Sequence, residues 1–338
     1  QYFSPIILRY IIESPQVYDA TADYLHWRTY GIFFSCLCVM FRAYYVGITQ
    51  TKILTINSVV MLLSNVVLNY CLIFGKGGFP VMGIAGAAIA SSVSEAVSLL
   101  FFIIYTGTTA DQRKYGFRRA FTFRPHLLKG MLSISGWTMV QSFISVSIWF
   151  IFFLAIEHLG ERPLAVTNIV RNISALLIMV ISAFATTAGA LISNQIGAGE
   201  QRYLFRTCGM TLNLTYAILV PLLVILCLFP EPVLRVFTDN PSLIAASINS
   251  VYVMSTSTLI MAPAFILFNA VSGTGNTKAG FIMEMISLTV YTAAVYYIVI
   301  RLKPDVALCW FSEHVYGIAL IALAWWYLKS GKWRGKKV

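Results

Sequence analysis

Charge is what this chain has little of. Asp, Glu, Lys and Arg together make up 11% of its 338 residues, less than half the roughly 25% of an ordinary soluble domain. That is too little to build a solvated shell around a core of this length. A soluble enzyme, a disordered chain and a nucleic-acid-binding module are therefore excluded. Clustered ligands are also missing. The six cysteines (Cys36, Cys38, Cys71, Cys208, Cys227, Cys309) lie in apolar surroundings without a CxxC, and the four histidines are scattered. Neither a disulfide framework nor a metal centre is expected, and the cysteines read as small hydrophobes. No His/Asp/Glu set at helical spacing marks a membrane-embedded enzyme, and no filter-like loop or repeated charged ring marks a channel. No organic cofactor and no enzymatic activity are expected. No basic n-region precedes the first apolar stretch, and the chain begins at Gln1 inside it, so an N-terminally truncated chain is expected.

What is present is apolar length. Hydrophobic residues make up 58% of the chain and mean hydropathy is +0.77. At about 20 apolar residues per crossing, the pattern predicts nine full spans plus a partial one. Residues 1–12 look like the end of a helix, and 13–23 are polar and turn-like. Apolar segments then run over 24–47, 52–75, 83–106, 130–156, 163–190, 206–230, 243–272, 279–301 and 307–328, separated by Gly- and Pro-rich breaks such as GKGGFP at 75–80 and TDNP at 238–241. The net charge of +11 sorts with this pattern. Fifteen Lys and Arg fall in loops on one side, five on the other, and Arg9, Arg28, Arg42 and Arg171 lie in or at the ends of helices. Basic loops stay cytoplasmic. The C-terminus is therefore expected in the cytoplasm, and the basic stretch 111–129 reads as a solvated linker beside anionic headgroups.

The chain repeats itself. GITQTK at 47–52 matches GTGNTK at 273–278, and VSEA at 93–96 matches FSEH at 311–314 two spans later, at offsets of 226 and 218. Both loops fall on the same side. An even number of spans separates the copies, so they share one orientation, which predicts two bundles of six helices as a parallel repeat. The organisation read from this is a remainder of the first bundle over 1–110, the linker 111–129, a second six-helix bundle over 130–330, and a basic tail over 331–338. The fold class is an all-α polytopic membrane protein whose first bundle is incomplete.

GITQTK at 47–52, NVVLNYCLIFG at 65–75 and GIAGAAIASS at 83–92 resemble the centre of the multidrug and toxic compound extrusion (MATE) transporters, and NQIGAGE at 194–200 resembles that family's helix-to-loop element. The resemblance runs from the end of the family's third helix to its twelfth. It implies a secondary antiporter in the inner membrane that exports small organic, often cationic, compounds against Na+ or H+ entry by alternating access. Its partners would be the substrate and the bilayer, with no nucleic acid, and the chain is expected to act as a monomer. A flippase for lipid-linked oligosaccharide or another amphiphile, from the same superfamily, is the alternative. A flippase should line its cavity with Arg and Lys, and few in-membrane cations are available.

Polar groups inside spans are costly and need a reason. Asn65 and Asn69 share a helix face at i, i+4. Their amide oxygens suit a hard cation such as Na+ or can order water around a proton site. In the DinF-like branch of the resembled family this helix carries an Asn and, four residues on, an Asp. Asn65 matches the first, Asn69 replaces the second, and Ser91 stands where that branch has a Thr. Glu95 and Glu313 occupy matching repeat positions, each either paired or protonatable, which makes them ion-coupling candidates with Asn65, Asn69 and Ser91. Arg171 and Glu313 each lie roughly 10 Å deep from the outer face and are expected to form a buried pair. Glu284, about five residues inside its span, is expected to snorkel to the interface. The family's acidic residues in its seventh and tenth helices are absent here, where the chain reads QSFISVSI at 141–148 and STSTLIMAPAF at 255–265. Gln141 and Ser145 would give a mildly polar cavity wall. Trp137 and Trp149 could hold a cation by their ring faces. Trp325, Trp326 and Trp333 fit an interfacial belt.

Overall fold

The computed structural model describes residues 8–9, 15–109, 124–302, 304–331 and 333. Among them lie nine long helices, each long and apolar enough to cross a membrane. They are α1 (Pro15–Gly47), α2 (Lys52–Phe74), α3 (Gly83–Thr109), α4 (Pro125–Glu157), α5 (Glu161–Gly197), α6 (Leu204–Leu228), α7 (Pro241–Gly273), α8 (Thr277–Val295) and α9 (Phe311–Ser330). Short helical turns at Pro230–Arg235 and Val306–Cys309 lead into α7 and α9, and α8 continues as a π turn over Tyr296–Leu302. Three of the nine begin on proline, whose missing N–H costs nothing in the first turn. Asn240 and Asn276 cap α7 and α8 by accepting from the amides of Ser242 and Ala279, which satisfies donors that would otherwise be orphaned.

Two boundaries differ from the sequence reading. The polar stretch after residue 13 is helical from Pro15, because nothing in QVYDATAD breaks a helix once proline has started one. On the far side of the linker, Pro125 starts α4 five residues before the apolar run expected from 130. Most of the partial span over 1–12 and of the linker over 111–129 lies outside the described residues.

The chain divides into two compact units, 1–123 and 124–338. In the first, α3 packs against both α1 and α2. Its core is Cys38, Tyr45, Ile53, Leu99 and Phe102, with the Phe41 and Phe102 rings stacked 5.4 Å apart. In the second, α7 is the central element. It packs on α5, α9 and α6, and 56% of its apolar window is buried, the largest share of the nine. The α5–α7 crossing is close enough that a Cβ on Gly273 would stand 2.5 Å from the Gly189 carbonyl oxygen. Small residues at a helix crossing are how membrane helices gain packing energy when lipid offers no hydrophobic drive.

Large apolar side chains lie bare on the outer faces. Leu62, Leu63, Val66 and Val67 of α2 are each more than half exposed, as are Met139, Phe143 and Phe150 of α4. Such patches are untenable in water and neutral against acyl chains. Trp325 and Trp326 are exposed as an interfacial belt requires, but Trp333 is not. It is buried and donates from Nε1 to the Leu328 carbonyl at 2.9 Å, so it seals the end of α9 instead.

The repeat is visible inside each unit. Helices α1 and α7 are both 33 residues long, run from a proline to a glycine, and keep the 226 offset at both ends. Ser94 donates to the Ser91 carbonyl and Ser312 to the Cys309 carbonyl, each three residues back. In both units the helix bearing the Ser-Glu pair packs against the two helices that flank the matching loop.

Candidate functional site: two polar clusters in an apolar chain

The first unit holds a series of polar contacts between its helices. Arg28 of α1 donates from Nη1 and Nη2 to the two carboxylate oxygens of Glu95 on α3, at 2.8 and 2.7 Å. It is the single ion pair among the described residues. A bidentate Arg–carboxylate fork is the strongest form of such a pair. Gly31 makes room for it, since a Cβ there would lie 2.5 Å from Arg28 Nη1 and 2.8 Å from Glu95 Oε2. One turn further along α3, Ser98 exchanges hydrogen bonds with Asn57 of α2 at 2.8 and 3.1 Å. Asn69 Nδ2 donates to Asn65 Oδ1 at 2.9 Å, and Asn65 Nδ2 reaches Ser94 at 3.3 Å and Ser91 at 3.5 Å. Asn65, Asn69 and Ser91 are thus brought together. The Glu95 carboxylate is engaged with Arg28 instead.

The Gly31 contact gives a first expected outcome. Gly31→Ala should push the guanidinium off the carboxylate and lower the thermal midpoint of the purified protein, at about 1–3 kcal/mol for an overpacked site. Unchanged melting would show that the fork has slack.

The second unit holds a cavity of about 470 Å³. Trp149, Met179, Met261 and Phe265 form much of its apolar wall, and Ser145, Glu284, Tyr291, Glu313 and Tyr316 supply its polar atoms. Two carboxylates from neighbouring helices are each held by a phenol of the opposite helix. Tyr316 of α9 donates to Glu284 Oε1 at 2.9 Å, and Tyr291 of α8 donates to Glu313 Oε1 at 2.8 Å. Ser145 of α4 adds a second donor to Glu284 Oε1 at 2.9 Å. Glu284 is only 4% exposed, and its Oε2 is buried without a hydrogen-bond partner. A bare anionic oxygen inside a protein is costly, so this oxygen calls for a proton or a cationic guest. No Lys or Arg lines the cavity among the described residues.

Several sequence expectations change here. Arg171 and Glu313 do not pair. The Arg171 guanidinium lies 4.9 Å over the Phe153 ring, and the Glu313 contact is the Tyr291 hydroxyl. Equal depth brought the two together on paper, but they face different neighbours. Glu284 does not snorkel, because its side of α8 is covered by α9 and α4, which leaves no path to the interface. Ser145 and Trp149 line the cavity as placed from sequence. Gln141 and Trp137 do not. Trp137 packs on Phe281, with Lys278 Nζ 5.7 Å from its ring centre. The residues that sequence reasoning passed over are Arg28, Tyr291 and Tyr316. Tyr316 follows Glu313 by three residues and Tyr291 follows Glu284 by seven, both same-face helical spacings that could have been read from the chain.

A seam of amides and one ion pair in one unit, and an acidic chamber in the other, both inside apolar helices, define a polytopic helical membrane protein with polar sites at membrane depth. The chain belongs to the MatE family, whose profile matches residues 1–71 and 138–298. It is 26% identical over 286 residues to a probable multidrug resistance protein NorM of Thermotoga maritima, a match covering 81% of this chain and 59% of that one. It is 25% identical over 268 residues to an uncharacterized transporter, YisQ, of Bacillus subtilis, covering 76% and 56%. The chain thus spans less than two thirds of the length of these relatives. Its fold is similar to that of a MOP superfamily transporter from Pyrococcus furiosus (TM-score 0.85, 17% identity, 96% of this chain and 73% of that one). It is also similar to that of the Vibrio cholerae MATE transporter VcmN, solved as a point mutant (TM-score 0.82, 13% identity, 95% and 72%).

Proposed function

We propose that the protein is a secondary antiporter of the cell membrane that exports small organic cations in exchange for inward Na+ or H+ by alternating access, with its C-terminus in the cytoplasm. The observation that carries this reading is the second-unit cavity, with apolar and aromatic walls, two carboxylates and no basic side chain among the described residues. A lipophilic cation gains from the ring faces and from the unpartnered Glu284 oxygen. The names of the relatives support a multidrug range, and a wall rich in methionine and aromatic rings adapts to many shapes. The acidic lining also weighs against the flippase alternative, because a phosphate-bearing lipid needs Arg or Lys where this cavity has Glu. Ion entry favours one arrangement of the protein and substrate the other, so the two exchange.

The test is export from efflux-deficient cells carrying the complete gene. Cells should accumulate less of a fluorescent organic cation than controls, and Glu284→Gln should abolish most of that difference, about tenfold for one lost charge contact of roughly 1.4 kcal/mol. Export of a neutral dye should survive the substitution. Equal accumulation with and without the gene, or full cation export by Glu284→Gln, would sink the reading.

A further inference from the structure

The two halves of the repeat treat their matching glutamates differently. Glu95 and Glu313 stand at equivalent positions, each after a serine that bonds three residues back along its helix. The helix that packs beside each is also equivalent, α1 in one unit and α7 in the other, in register from Pro15 and Pro241 to Gly47 and Gly273. At the 226 offset that fixes this register, Arg28 corresponds to Met254. Arg28 neutralises Glu95 through two hydrogen bonds. Met254 is fully buried and carries no charge. No basic nitrogen lies within 4.0 Å of Glu313 among the described residues.

We propose that Glu313 is the exchangeable proton site of the transporter, and that its repeat counterpart Glu95 is a structural group locked to Arg28. This rests on the antiport reading above and adds to it the coupling ion and the residue that carries it. In the step itself, the Glu313 carboxylate takes a proton from water to form an O–H bond and later returns it to water on the other side.

The surroundings of Glu313 fit a proton better than a metal ion. Its α8 neighbour is the Tyr291 hydroxyl, a donor that occupies Oε1. Glu284 of α8 and Tyr316 of α9 share the cavity. His314, next in sequence, is turned away to Thr256 of α7 at 2.9 Å, and α7 itself lends only Met261 and Phe265 to the wall. Asp305 caps the short helix before α9 through the Val306 amide. From α5, Arg171 is engaged with Phe153, and α4 offers Ser145 and Trp149. No Asn or Gln lines the cavity among the described residues, so the oxygen-rich shell that a hard cation prefers is missing. The paired amides at Asn65 and Asn69 lie in the other unit.

The test is pH-difference infrared spectroscopy on the purified full chain, read at the carbonyl stretch of protonated carboxyl groups. In a Glu284→Gln background, which removes the other carboxyl of the cavity, a protonated-carboxyl band should appear as pH falls, vanish when Glu313→Gln is added and persist when Glu95→Gln is added. Moving the charge should move the behaviour: Arg28→Met should add a band from the freed Glu95, and Met254→Arg should remove that of Glu313. If Met254→Arg does not fold, the comparison of Glu313→Gln with Glu95→Gln still decides. A band unchanged in Glu313→Gln, a band lost in Glu95→Gln, or displacement of the proton by Na+ at fixed pH would overturn the proposal. The spectrum needs no turnover. A Glu313 band in a protein that exports nothing would therefore count against the antiport reading and leave the site in place.

Discussion

Gly273→Leu is expected to be the most damaging single substitution in the second bundle. The Cβ would meet the Gly189 oxygen at 2.5 Å and the Gly189 carbonyl carbon and Cα at 3.2 Å. All three are backbone atoms of a long helix, so no side chain can swing aside, and α5 and α7 must separate along their crossing. Overpacking a tight site costs about 1–3 kcal/mol when neighbours can adjust. Here they cannot, and a loss at or above about 3 kcal/mol is expected. Thermal unfolding in detergent is the measurement. Gly209→Leu, where nothing lies within 4 Å of the added Cβ, should melt close to the parent. Equal melting of the two variants would show that the crossing is looser than described.

Arg28→Met should be nearly as costly in the first unit. It leaves the Glu95 carboxylate without its cation, while the nearby Cys38 thiol donates to the Glu95 backbone carbonyl and the Ser98 hydroxyl and not to the carboxylate. Removing one partner of a buried pair costs about 3–5 kcal/mol. The side chains here are 28% and 15% exposed, and solvent screening lowers the expectation to about 2–3 kcal/mol. The double variant Arg28→Met/Glu95→Gln should recover most of that loss, because no stranded charge remains. A double-mutant cycle in the same melting assay reads the coupling directly. Additive losses would mean that the fork contributes packing and not charge balance.

The seam and the chamber were legible to different degrees, for physical reasons. Helix existence came almost whole from apolar run length, since a hydrocarbon solvent leaves few other ways to satisfy backbone groups. The i, i+4 spacing placed Asn65 and Asn69 on one helix face, because a helix fixes which side chains are neighbours, and the hydrogen bond between them is what the structure adds. Tertiary partners were harder. Depth along a span can be counted from sequence, but rotation about the helix axis depends on what each face packs against. Arg171 and Glu313 matched in depth and missed in rotation. Glu284 looked close enough to the membrane surface to reach it, yet its face is roofed by Tyr316 and Ser145. Arg28 sits 67 residues from Glu95, and nothing local announces such a partner.

Helix α5 is 37 residues long, roughly 55 Å from end to end, against about 30 Å of hydrocarbon. Tilt absorbs only part of that surplus. A rod this overlong stays spanning whether the surrounding lipid sheet is thin or thick. Changing acyl-chain length should therefore alter its lean and the amount of rod standing in water, while leaving it inserted.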